Sequence, residues 1–213
     1  LLEGCYARAG LVSDVRLFED YPARYAADVK RRARWIRGDW QLLPWLMPWT
    51  PRPGSGWERN RLSLLSRGKL LDNLRRSLVP PAALVLLVAG WLYAYNPAAW
   101  SAWVLALWFA PPLIGMLRDA LSVPDDTPLE AHYIMVGRGT LQSLLRAATQ
   151  VACLPFEALL ASDAVLRTLW RMAITRRHLL QWNPSSEVER RLGGDRGAEW
   201  RVMAPASLLA LAL

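Results

Sequence analysis

The residues best equipped for chemistry lie in one short stretch, Asp28-Val29-Lys30-Arg31-Arg32-Ala33-Arg34-Trp35-Ile36-Arg37-Gly38-Asp39-Trp40-Gln41. On a helix, residues 31, 34, 35 and 38 share one face, because positions three and four apart are surface neighbours. That face would carry two guanidinium groups, one indole and one glycine. Guanidinium forks match the oxygens of a diphosphate leaving group. The indole offers a flat face to a sugar ring, and the glycine leaves room beside it. The combination suits a polymerase that uses a nucleotide-sugar. It suits equally well an amphipathic helix on a bilayer, with its arginines on lipid phosphates and Trp35 in the interfacial aromatic belt. These residues by themselves leave both readings open.

Other reactive side chains are sparse. Asp125-Asp126, set between Pro124 and Pro128, reads as a turn and helix start rather than a metal-binding pair. His132, in a polar stretch, and His178, beside Arg176-Arg177, lack a second ligand at metal spacing and read as structural or interfacial. Cys5 and Cys153 sit in unlike surroundings and read as reduced thiols with structural roles.

The elements that must position this chemistry follow from charge and hydropathy. The chain combines 53% hydrophobic residues and 12 Trp with 21% charged residues and a net charge of +8. That mixture suits a membrane protein with a wet, basic surface. The positive charge is local: residues 28–76 hold 12 Lys/Arg against 4 Asp/Glu, an excess equal to that of the whole chain. A basic block just before an apolar span points to the cytosolic face of a membrane, with nucleic acid excluded as partner.

Residues 78–95 and 98–117 hold no ionisable acid or base, and runs of 18 and 20 residues are long enough to span a bilayer. Asn96-Pro97 would be the turn of this transmembrane hairpin over 78–118, on the non-cytosolic side, and Pro111-Pro112 would kink its second helix. The basic stretch 51–77 before it reads as a cytosolic or interfacial linker and helix. Residues 119–139 read as a polar cytosolic loop, and 140–172 as a pair of amphipathic helices lying along the membrane. Residues 173–201 return to water, and 202–213 would begin a truncated third span.

Resemblance adds what physics leaves open. Arg31-x-x-Arg34-Trp35 followed by Gly38 resembles the Gln/Arg-x-x-Arg-Trp motif of processive synthases such as those of cellulose and hyaluronan, in which the Trp stacks on the acceptor sugar. Longer strings are more specific. Leu1-Leu2-Glu3-Gly4-Cys5-Tyr6-Ala7-Arg8-Ala9-Gly10, Arg34-Trp35-Ile36-Arg37-Gly38-Asp39-Trp40-Gln41, Leu71-Asp72-Asn73-Leu74-Arg75-Arg76-Ser77-Leu78-Val79-Pro80-Pro81 and Thr175-Arg176-Arg177-His178-Leu179-Leu180 all resemble cyclic β-1,2-glucan synthases.

The resemblance implies a mainly α fragment of a membrane protein, in which residues 1–50 are the C-terminal edge of a GT-A-like glycosyltransferase domain. It implies transfer of glucose from UDP-glucose to a growing glucan in the bacterial inner membrane, with Arg31, Arg34, Trp35 and Gly38 on the substrate. In that family a His-Asp pair precedes the Leu-Leu-Glu-Gly string, and its Asp resembles the general base. That base, and the aspartates for UDP and a divalent cation, Mg or Mn, are expected upstream of Leu1 in the same polypeptide. The chain alone is therefore expected to be inactive. Met172-Ala173-Ile174-Thr175-Arg176-Arg177 is similar to the gating loop of cellulose synthase, which implies that Thr175 and Arg177 approach the diphosphate. A basic membrane-surface anchor would use the same residues. A synthase of another polysaccharide and a non-catalytic membrane subunit are the alternative functions.

Overall fold

The computed structural model describes residues 2–6, 10, 12–18, 25–52, 54, 56–125, 127–177, 179, 197 and 204. The described part is mainly α. Its elements are α1 (Leu2–Tyr6), α2 (Tyr25–Gln41), a 3-10 turn (Leu43–Leu46), strands β1 (Trp49–Pro51) and β2 (Trp57–Arg59), α3 (Leu64–Tyr93), α4 (Pro97–Leu121), α5 (Leu129–Ala152), α6 (Leu154–Trp170) and a π-helical turn (Arg171–Thr175). His178, Asp126, most of the expected 173–201 linker and the 202–213 run, Ala204 apart, lie outside the described residues.

Helices α3 and α4 are both long and apolar enough to cross a membrane. At 30 residues, α3 is about 45 Å long against a hydrocarbon core of roughly 30 Å, so its charged first half can stand clear of lipid. The Ser63 side chain caps its start by accepting from the Ser66 amide at 3.1 Å. The hairpin turn is set by local chemistry. Asn96 accepts from the Ala99 amide at 3.0 Å, and Pro97 takes the first helical position, where no amide donor is needed. The two helices then close on a glycine. The Trp100 indole lies so near Gly90 that a Cβ there would stand 1.8 Å from its Cδ1, and Trp100 Nε1 donates to the Leu86 carbonyl at 2.7 Å. Along α4 only Val104 is buried, while Trp103, Leu107, Ile114 and Leu117 face outward. Such an outward apolar surface needs a lipid cover. α4 is helical through Pro111-Pro112, and the two prolines line a cavity of about 530 Å³ against Gly139 and Ser143 of α5.

Two parts depart from the sequence expectation. The stretch 119–139, read as a polar loop, is helical from Leu129 onward. Pro128 ends the turn, and Glu130 in the first turn complements the helix dipole. His132 is accordingly not a loop residue: it is buried in α5, with Nε2 3.0 Å from the Asp119 carbonyl at the end of α4.

The second departure concerns α5 and α6, read as lying along the surface. They meet at Cys153 with a bend of 64° and together are apolar enough for a broken span or re-entrant loop. Leu154, at the bend, packs with Ala83, Leu87 and Val104 from the two apolar runs. The polar and small face of α5, with His132, Thr140 and Ala147, is the packed one, whereas Met135, Leu141 and Leu145 are exposed. Small residues at the helix contact and large apolar ones outside are the membrane pattern. Helix α6 is seated between α2 and α3 through buried Ala158, Ala161, Ala164 and Thr168.

Candidate functional site

Helix α2 carries the motif. Its Ala, Arg and Lys content favours helix, and Asp28 in the first turn complements the dipole. It docks on α6 through Val29, which is fully buried against Phe156 and flanked by Tyr25 and Leu160. Around that contact sits a polar lock. Arg32 Nη1 donates to Glu157 Oε1 at 2.8 Å, and Tyr25 Oη donates to the same oxygen at 3.1 Å. Arg32 Nε lies 3.0 Å from Asp28 Oδ2. Burial, a hydrogen bond with Cys153 and the charge of Glu157 push the Tyr25 phenol well above its ordinary value, which keeps it a donor.

The other end of α2 is tied to α3. Trp40 Nε1 donates to Ser77 Oγ at 2.8 Å, and Asn73 Nδ2 donates to Asp39 Oδ1 at 3.4 Å. Gln41 Nε2 donates to the Leu179 carbonyl at 2.9 Å, which ties the chain after the π-helical turn to α2.

Between α2, α3 and α6 lies a cavity of about 740 Å³, lined among others by Arg34, Trp35, Gly38, Asp39, Asn73 and Ser77. Three of the four motif residues thus share one recess. Trp35 is 59% exposed, and a Cβ added at Gly38 would meet nothing within 4 Å, so both leave space for a ligand.

Arg31 is placed differently. Its Nη2 lies 2.7 Å from Asp28 Oδ1, and its guanidinium stands over the Trp35 ring, 4.9 Å from the centroid. It lines a second recess of about 560 Å³, which Trp35 also borders. Such a guanidinium holds the indole in place, through an ion pair and a cation–π contact.

Positive charge gathers at the far end of α6. The Arg37 guanidinium is held below its ordinary value by burial and by the nearby cations Arg171 and Arg167. Arg171 opens the π-helical turn, which ends at Arg176 in a left-handed conformation (φ 49°) whose amide donates to the Arg171 carbonyl at 2.7 Å. For a residue with a side chain, that φ is uncommon and strained. Thr175 and Arg177 are exposed beside it, and neither lines the recess of Trp35.

Sequence reading missed Asp39, Asn73, Ser77 and Glu157. Asp39 stands four residues after Trp35, on its helical face, and that spacing was the available signal. The α3 and α6 partners carried none. Among the described residues no group of three or more His, Cys, Asp or Glu could hold a metal ion.

No family model matches the chain. The chain is 36% identical, over 99% of its length, to cyclic beta-(1,2)-glucan synthase NdvB of Rhizobium meliloti (strain 1021). It spans about 7% of that protein's length. The resemblance read from the sequence strings is thereby borne out: nearly the whole chain is related to one stretch of a cyclic beta-(1,2)-glucan synthase.

Proposed function

We propose that this chain forms the acceptor side of a membrane-bound glucosyltransferase that transfers glucose from UDP-glucose to the 2-hydroxyl of a growing β-1,2-glucan, later closed into a ring. The observation that carries the reading is the recess where Trp35, Arg34, Gly38 and Asp39 meet α3 and α6. There the exposed indole offers an apolar face to a pyranose ring, Gly38 leaves the approach open, and Arg34 supplies donors to oxygen atoms at the rim. Arg31 keeps the indole at its angle.

Thr175 and Arg177 belong to the donor side in this reading. The left-handed Arg176 stores local backbone strain, as residues of switch segments often do, and the cluster of Arg37, Arg167 and Arg171 behind it suits a diphosphate. Proton removal from the acceptor hydroxyl and the divalent cation are assigned to other parts of the polypeptide. The basic residues before α3 belong on the cytosolic side of the bacterial inner membrane. Membranes carrying the complete protein, incubated with labelled UDP-glucose, should yield label in β-1,2-linked rings. A linear product, or another linkage, would point to a different polysaccharide synthase, and no incorporation to a non-catalytic subunit.

A further inference from the structure

Helix α2 holds five cationic side chains, Lys30, Arg31, Arg32, Arg34 and Arg37, and two carboxylates, Asp28 and Asp39. Asp28 is paired with Arg31 and Arg32. Asp39 pairs with none of them. Its one hydrogen-bond partner among the described residues is the Asn73 amide, at a long 3.4 Å. Burial raises its carboxyl above the ordinary value, and the Asn73 bond and the amino-terminal charge only partly offset that. A part-buried carboxylate at the wall of a recess, with one long hydrogen bond to the described residues, keeps acceptor capacity for a ligand's donors.

The surroundings identify those donors. Asp39 lines the recess of Trp35 one helical turn along the same face. Neighbours at that spacing have Cβ atoms roughly 5–6 Å apart, which suits a pyranose lying on the indole with its hydroxyl edge turned to the carboxylate. Each carboxylate oxygen accepts more than one hydrogen bond, so vicinal hydroxyls can be bound together. Arg32, Arg34 and Arg76 also line the recess, so Asp39 disfavours a diphosphate only along its own edge, where neutral hydroxyls are the better partners. We infer that Asp39, braced by Asn73, is a hydroxyl-binding carboxylate that selects a neutral glucose polymer for the recess over Trp35. The inference rests on the acceptor-side reading of that recess.

The test uses the complete synthase in membranes and a labelled linear β-1,2-linked glucose oligomer as probe. Asp39→Asn keeps the shape of the side chain while removing its charge, and Asn73→Ala removes the brace. Both should weaken oligomer binding about tenfold or more and raise the apparent KM for the oligomer, as loss of a hydrogen bond to a charged group does. The KM for UDP-glucose should stay as in the parent, and Asp39→Asn should melt no lower than the parent, since it removes a part-buried charge. Wild-type oligomer affinity in Asp39→Asn, beside loss of affinity in Trp35→Ala, would overturn the role of Asp39 alone. Wild-type affinity in Trp35→Ala as well would overturn the acceptor reading and this inference with it. A KM that rises equally for UDP-glucose would also overturn the inference, by placing Asp39 on the donor side or in general folding.

Discussion

At the scale of single residues, the motif divides into a platform and its supports. Trp35 and Gly38 are open, Arg34 lines the recess, and Arg31 is spent on Asp28 and the indole. Two predictions belong here. Gly38→Ala meets no atom, and alanine favours helix by about 1 kcal/mol over glycine. The variant should therefore melt no lower than the parent, and any fall in polymer yield then reads as contact with a ligand. Asp39 makes a prediction about pH. Burial holds its folded value above the ordinary 3.8, so just above that pH the folded chain keeps a proton that the unfolded chain has lost. Stability should fall as pH rises through this window and then level off. Asp39→Asn should flatten that decline in a thermal-melt series, and an unchanged slope would count against it. The motif itself was legible in the sequence, because its residue types and spacing are its chemistry. Asp39 and Asn73 were not: an acid on a charged helix looks solvated until the helix 34 residues onward is set against it.

At the scale of elements, the charge-free runs announced α3 and α4, since a long uncharged apolar stretch has few other uses. The hairpin lock is more specific than hydropathy could show. Gly90→Ala would raise helix propensity in isolation, yet its Cβ would collide with the Trp100 ring. Displacing that ring also breaks its bond to Leu86. The variant should lose about 2–4 kcal/mol of stability in a detergent unfolding titration, and a stabilised variant would contradict the packing. Helix α5 was harder to read, since its apolar residues look like a core face in water. In the structure Leu141 and Leu145 point away while His132, Thr140 and Ala147 pack inward. Periodicity reports that a helix has two faces, and not which of them meets protein.

At the scale of the whole molecule, α6 is the common wall. It joins the docked motif helix α2 to α3 and ends in the strained turn before Arg177. The α5–α6 bend rests on Leu87 and Val104 within the apolar runs, so recess, turn and hairpin are mechanically continuous. Single cysteines placed at Arg75 and Tyr95 of a complete protein freed of other reactive thiols should label from opposite sides of the membrane with an impermeant reagent. Labelling from one side would undo the hairpin topology. The proposed seat for the acceptor end of the glucan is Trp35. Its most direct test is polymer yield from labelled UDP-glucose in membranes bearing the complete protein with Trp35→Ala. The recess over α2 predicts loss of chain growth with the protein still folded and inserted. A normal yield of cyclic product would contradict it.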